Sequence, residues 1–229
     1  MNVALTLIIA NRNYSSWSMR SWVLLHARGI RFGERMLKFE TTEWDEQIGM
    51  LSPSGLVPAL WEGEPGAGFV TYDTLAIAER LHELFPEHGI WPRDASARGR
   101  ARSLAAEMHS GFRAMRDAMP MNIRRRYPGK GMNQQVATNI ARISAIWAEA
   151  KRPFLFGGFC AADAFYAPVA TRFVTYGVAL RGPAKAYHQA LLDSSSVQAW
   201  SAAALKEIEF VAADEPYAVQ DAPSRTRAL

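Results

Sequence analysis

Two short stretches of this chain place backbone and hydroxyl groups where an extended, peptide-like ligand could be held. The first is Ser52-Pro-Ser-Gly-Leu-Val-Pro-Ala-Leu60, in which Val57-Pro58 opens a short apolar strand. The second is Asp73-Thr-Leu-Ala-Ile-Ala-Glu-Arg-Leu81, an acidic and a hydroxyl residue at the start of an amphipathic helix. A strand edge pairs with the backbone of such a ligand. A helix N-terminus holds a carboxylate, because its N–H groups are unpaired and its dipole is positive there. The plain structural alternatives are a trans proline starting a strand and simple N-capping by Asp73. Capping is compatible with ligand binding, and beside Asp73-Thr74 a cis bond before Pro58 is the preferred reading.

The elements that must position these groups follow from length and pattern. The 229 residues suit one large or two small domains, and 49% hydrophobic with 21% charged residues predicts a packed core. A net charge of +4, with arginines clustered at Arg124-Arg125-Arg126 and at Arg98, Arg100 and Arg102, is mild. It reads as a solvated surface, with no nucleic-acid partner and a preference for anionic small molecules as the intermediate alternative. Cys160 is the only cysteine, and His26, His82, His88, His109 and His188 form no ligand pair. Neither a disulfide framework nor a metal site is expected. Met1 to Ala10 is too short for a signal peptide and no apolar run reaches membrane-spanning length, so the expectation is a cytoplasmic protein without a membrane partner.

Along the chain, Leu5 to Ala10 reads as a buried strand, Asn11 to Ser16 as a polar loop, and Ser18 to Ala27 as a helix stopped by Gly29. Phe32 to Phe39 is a second strand, and Thr41-Thr42 starts a helix ending before Ser52. Pro58 to Trp61 and Gly68 to Thr71 form a hairpin, then Ile77, Leu81, Leu84 and Phe85 share a helical face. The order βαβαββα matches a thioredoxin-like arrangement. Pro86 to Ala97 reads as a linker. Beyond it Met108, Phe112, Met115 and Met119 form one helical face, Val136, Ile140, Ile143 and Trp147 a second, and Ala162, Phe165, Tyr166, Val169 and Phe173 a third. Val197 to Val211 is read as a fourth helix and Asp214 to Leu229 as a polar, frayed end. The fold class is thus α/β plus all-α: a thioredoxin-like domain at 1–85, a linker at 86–97 and a helical bundle at 98–229.

With these motifs in this order, the chain resembles the cytosolic glutathione transferases over nearly its whole length. The family's strand-opening motif is Ser52 to Leu60, its acidic-Ser helix start is Asp73-Thr74, and its helix-capping motif is Gly157-Gly-Phe-Cys-Ala-Ala-Asp163, followed by Pro168. The resemblance implies glutathione as co-substrate. Val57, ahead of a cis Pro58, would pair with its cysteinyl backbone, Thr74 would hold the γ-glutamyl carboxylate, and Asp73 its ammonium. It places Cys160 in the folding core, outside the chemistry and as a poorer helix cap than serine.

Asn13-Tyr-Ser-Ser-Trp-Ser-Met-Arg20 resembles the Ser-Ser-x-Ser-x-Arg pattern of the zeta class. There a hydroxyl donates to the glutathione sulfur. A free thiol titrates near pH ~8.5, and lowering that by about two units requires roughly 2.7 kcal/mol, about what a charge-assisted hydrogen bond and a helix N-terminus supply. Ser15 is the first candidate, Ser16 the second and Tyr14 the rival; N-capping is the structural alternative. Arg20 is expected either to brace the loop or to take a surface or salt-bridge role. The segment has no cysteine, which argues against a mixed-disulfide mechanism. Leu56 occupies a position that relatives fill with a basic or polar residue, leaving Lys38 and Arg20 as candidate partners for the glycine carboxylate. Met108, Phe112, Met115 and Tyr127 are candidate walls for a hydrophobic electrophile, with helix packing in the core the preferred reading of Met108 and Phe112.

The reading is a glutathione transferase, homodimeric by family resemblance and detoxifying in type. It attacks an electrophile or peroxide with the thiolate. The alternatives are a maleylacetoacetate-type isomerase and a non-enzymatic binding protein of the same fold.

Overall fold

The structure, a computed structural model, describes residues 4–218. Its first half is the sequence β1 (Leu5–Ile9), α1 (Ser16–Ala27), β2 (Gly33–Met36), α2 (Thr42–Leu51), β3 (Ala59–Glu62), β4 (Phe69–Tyr72) and α3 (Thr74–Leu84). The four strands form one sheet in the order β2-β1-β3-β4. β1 pairs parallel with β2 and antiparallel with β3, with Leu7 opposite Leu60, and β4 closes the hairpin on β3. Gly68 lets that hairpin close, because a Cβ there would lie 2.2 Å from the Glu62 carbonyl oxygen.

Strand alternation divides the sheet between two apolar layers. Leu5, Leu7, Ile9 and Leu60 face α1, α3 and the helical half. Ile8, Ala59 and Trp61 face the opposite way, onto Leu51, Trp44 and Ile48 of α2. The first half is therefore thioredoxin-like, as expected.

The second half is helical: α4 (Ala95–Ser110), α5 (Arg113–Ala118), α6 (Gln134–Ala148), α7 (Ala161–Tyr176), α8 (Gly182–Asp193) and α9 (Ser195–Ala204). α7 is its axis. All of its residues except Val174 are buried, and it packs on α1, α4 and α8. Between the halves, Pro86–His88 make one 3-10 turn, Ile90 and Trp91 are buried, and the Ala161 N–H bonds to the Ile90 carbonyl at 2.8 Å. One continuous apolar cluster runs from the sheet through α7 to α9.

Three expectations need correction. The methionine face at 108–119 is not one helix. α4 ends at Ser110, Gly111 approaches the Glu107 carbonyl too closely for a Cβ, and Phe112 turns through a left-handed φ of 56° before α5. The last helix stops at Ala204 instead of Val211, because the following segment bonds back to the first half. Within 214–218 the chain is anchored, with Glu215 buried; 219–229 lie outside the described residues. Helix α8, absent from the sequence reading, carries Tyr187 and His188 against Trp147.

Candidate functional site

Two adjoining cavities sit where α1, the segment before β3, and α3 meet the helical half. They share Trp17, Leu56 and Val57. The smaller, of about 360 Å³, is also lined by Pro58, Tyr72, Asp73 and Thr74. The larger, of about 500 Å³, holds Ser15 and Ser16 and is closed by Arg113, Arg116 and Arg172 from the helical half.

The smaller cavity brings together the two stretches singled out in the sequence. The Val57-Pro58 bond is cis. Asp73 caps α3, its Oδ1 accepting the Leu75 N–H at 2.8 Å. It does so with a φ of 72° and ψ of 138°, a region that costs a non-glycine residue about 1–3 kcal/mol. Strain of this kind is kept where the surroundings over-determine it, commonly at ligand sites. Thr74 is buried, and among the described residues its hydroxyl has no hydrogen-bond partner, although buried polar groups are nearly always paired. His109 of α4 reaches across the halves to place its Nε2 2.6 Å from Asp73 Oδ2, with its ring edge-on to Trp17.

The loop carrying the candidate hydroxyls is polar in composition, as the sequence reads. It is buried, and its polarity is spent inward. Asn11 accepts the Phe39 N–H at 2.8 Å. Asn13 donates to Asn122 at 3.0 Å and accepts the Arg124 N–H at 2.9 Å. The Glu207 carboxylate accepts the N–H groups of Arg12 and Asn13.

Three hydroxyls differ in what their protons do. Ser15 caps α1, accepting the Ser18 N–H at 3.3 Å and donating to Ser18 Oγ at 2.7 Å. Tyr14 donates to Glu215 at 2.8 Å and accepts from Arg124 at 2.8 Å, and burial followed by Glu215 raises its pKa. Its hydroxyl serves as a tie to the C-terminal segment. Ser16 accepts from Arg172 Nη2 at 3.1 Å, and its own proton is given to no acceptor among the described residues.

Arg20 does not brace the loop by hydrogen bonds. It is buried, none of its guanidinium nitrogens has a partner among the described residues, and it stacks over Trp17 at 4.1 Å and Phe165 at 5.0 Å. Burial and then Arg172 lower its pKa to about 9, so it stays charged at neutral pH. Arg20 is thus withdrawn from the surface, and Lys38 is ion-paired with Glu209. Leu56 is 67% exposed at the rim of both cavities.

The expected electrophile wall is also corrected. Met108, Phe112 and Met115 are in the core and Tyr127 bonds to Glu215, so none of the four lines either cavity. Their apolar periodicity marked the inward face of the bundle. The residues that do line the larger cavity include Trp17, Phe39, Trp44 and the three arginines. Of these Arg172 had a signal in the sequence: a lone cation inside the long apolar face of α7.

Known proteins agree with this architecture. Residues 14–84 match the family described as glutathione S-transferase, N-terminal domain. A glutathione transferase homolog from Burkholderia, crystallised with bound glutathione, superposes with a TM-score of 0.66 at 22% identity, covering 88% of this chain and 97% of its own. Glutathione transferase Omega 2C from Trametes versicolor superposes at 0.68 and 19% identity, covering 86% and 93%. A bacterial zeta-class maleyl pyruvate isomerase superposes at 0.64 and 20% identity, covering 86% and 97%. No curated protein sequence matches the chain. A thioredoxin-like sheet joined to a bundle built on a buried central helix is the glutathione transferase fold. The chain has this fold, and its residues 14–84 match the glutathione S-transferase N-terminal domain family. Among the described residues no helix is long and apolar enough to cross a membrane, and no cluster of side chains is fit to hold a metal ion.

Proposed function

We propose that the protein binds glutathione across the two cavities and activates it as a thiolate for attack on a second substrate. The observation that carries this reading is the unpartnered, buried Thr74 hydroxyl beside the strained cap Asp73, in one cavity with Val57 and Pro58. Thr74 and the first N–H groups of α3 receive the γ-glutamyl carboxylate, and Asp73 faces its ammonium. Val57 pairs with the cysteinyl backbone, which directs the sulfur into the larger cavity towards Ser15 and Ser16.

Between these two, Ser16 is the better donor. Its oxygen is polarised by the Arg172 guanidinium and its proton is uncommitted. Ser15 would have to surrender its bond to Ser18. On binding, the thiol proton leaves to solvent, and the thiolate is held by the Ser16 O–H, the helix N-terminus and the neighbouring cation. The sulfur lone pair then forms a bond to the electrophilic carbon as the leaving group departs with its electron pair.

The test is a titration of glutathione into the protein, following the ultraviolet absorbance of the bound thiolate against pH. Saturable binding with a thiol pKa depressed by a unit or more supports the reading. Absence of binding at millimolar glutathione overturns it in favour of a binding protein of the same fold.

A further inference from the structure

One carboxylate reaches the larger cavity from the segment that follows α9, and that segment is tied down on both sides of it. Before it, the Glu207 carboxylate accepts the N–H groups of Arg12 and Asn13, and Glu209 is ion-paired with Lys38. After it, Glu215 is buried and accepts the hydroxyls of Tyr14 at 2.8 Å and Tyr127 at 2.9 Å, and Tyr217 donates to the Ala118 carbonyl at 2.8 Å. Between these ties Ala212–Asp214 make one 3-10 turn, which sets Asp214 in the cavity wall with Ser15 and Ser16.

Asp214 is half-buried there. The other acid of the lining, Asp117, is paired with Arg113 at 3.2 Å; among the described residues Asp214 has neither an ion pair nor a hydrogen-bond donor on its carboxylate. The charges it feels are Arg172 of α7, Glu40 after β2 and its neighbour Glu215, while Arg113 and Arg116 of α5 line the same cavity. Arg172 links it to the candidate hydroxyl: the guanidinium that attracts Asp214 gives its Nη2 to Ser16 Oγ at 3.1 Å. Burial, against the pull of Arg172, raises the Asp214 pKa to about 6. At neutral pH it is therefore mainly ionised and able to take a proton, and its acid form gives that proton up readily. A base whose pKa lies near the working pH is the efficient one. Creating a new charge in a partly buried cavity is costly. A transfer from thiol to carboxylate only moves an existing negative charge from oxygen to sulfur.

We propose that Asp214 is the catalytic base of the reaction, accepting the glutathione thiol proton and passing it to solvent. The S–H bond breaks with its electron pair left on sulfur, and an O–H bond forms on the Asp214 carboxyl. That proton then moves to water and restores the carboxylate. The inference rests on the glutathione reading and adds the group through which the proton leaves.

The test is Asp214→Asn in the full chain, mixed rapidly with glutathione in dilute buffer while the thiolate absorbance is followed. Thiolate is expected to form about tenfold more slowly than in the unsubstituted protein, and added imidazole should restore the rate in proportion to its concentration. The equilibrium thiol pKa of bound glutathione should stay the same or fall, because a neighbouring negative charge is gone, and Kd should stay within about twofold. In the unsubstituted protein the rate should drop as pH falls below about 6, and in Asp214→Asn that drop should be absent. An unchanged rate overturns the inference and leaves the glutathione reading intact. A slower rate that imidazole does not restore, or a raised thiol pKa, makes Asp214 structural and overturns its catalytic role. A thiolate signal absent from both proteins overturns the glutathione reading, and the inference with it.

Discussion

Arg172, near the C-terminal end of α7, donates its Nη2 to Ser16 Oγ in the first turn of α1 at 3.1 Å. The bond joins a buried cation of the helical half to a hydroxyl of the sheet half. It distinguishes Ser16 from its neighbour: Ser15 spends its hydroxyl on capping α1 and on Ser18.

This distinction separates two variants. Ser16→Ala is expected to raise the pKa of bound glutathione by about one unit, the loss of one charge-assisted hydrogen bond, with kcat/KM falling about tenfold or more and little change in Tm. Ser15→Ala is expected to act first on stability, costing about 1 kcal/mol as a lost N-cap. Thiolate absorbance against pH and thermal melts of both variants decide it. A Ser15→Ala protein that melts normally but cannot ionise glutathione would reverse the assignment.

Thr74→Val should move stability and binding in opposite directions. The Thr74 hydroxyl is buried with no partner in the free protein, so a shape-matched methyl relieves a desolvation cost of about 1–3 kcal/mol. The same hydroxyl is the proposed donor to the γ-glutamyl carboxylate. Expected are a higher Tm without ligand and a glutathione Kd raised by about tenfold. A lower Tm together with unchanged affinity would contradict both halves.

Asp214 gives a pH dependence of defined sign. Its carboxyl titrates at about 6 in the fold against an ordinary 3.8, with burial the main cause. The folded protein therefore keeps a proton that the unfolded chain gives up. This contribution to stability is present below pH 3.8 and is lost as pH rises through about 6. Asp214→Asn is expected to flatten the fall in stability across this window and raise Tm at pH ~7, where the unsubstituted carboxylate must be charged while half-buried. Thermal melts across this pH range, for both proteins, provide the check.

The start of α7 offers two changes of opposite sign. Asp163 is buried and its carboxylate accepts the N–H groups of Leu155 and Cys160 and the Tyr187 hydroxyl, at 3.0, 2.8 and 2.9 Å. Asp163→Ala strands all three donors and is expected to cost about 3 kcal/mol or more. Cys160, the N-cap, is a weak acceptor; Cys160→Ser should gain about 0.5–1 kcal/mol. Denaturant titrations measure both, and no gain for Cys160→Ser would show that the sulfur caps as well as oxygen.

The element order and the ligand-binding stretches were legible because they depend on local rules. Proline before a strand, an acidic cap before a helix and apolar alternation act within a few residues. The long-range partners of Asn11 to Ser16 and the helix break within the 108–119 face were not legible. Asn11 and Asn13 look like loop surface by type, yet their partners are Phe39, Asn122 and Arg124, far along the chain. Met108, Phe112 and Met115 have the composition of a pocket wall, but periodicity alone does not say which face of the bundle they meet.

By itself the sequence determined the thioredoxin-like order, the helical second half, and Val57-Pro58 and Asp73-Thr74 as paired candidate binding elements, because each is encoded by neighbours in the chain. Only the tertiary structure decided that Ser16 rather than Ser15 has a proton given to no acceptor among the described residues, that Arg20 is withdrawn into the core, and that Arg116 and Arg172 line the larger cavity. Those outcomes depend on which groups compete for a hydrogen bond or a counter-charge across the two halves. The deciding pair, Ser16 and Arg172, lies 156 residues apart in sequence and meets only when α7 packs against α1.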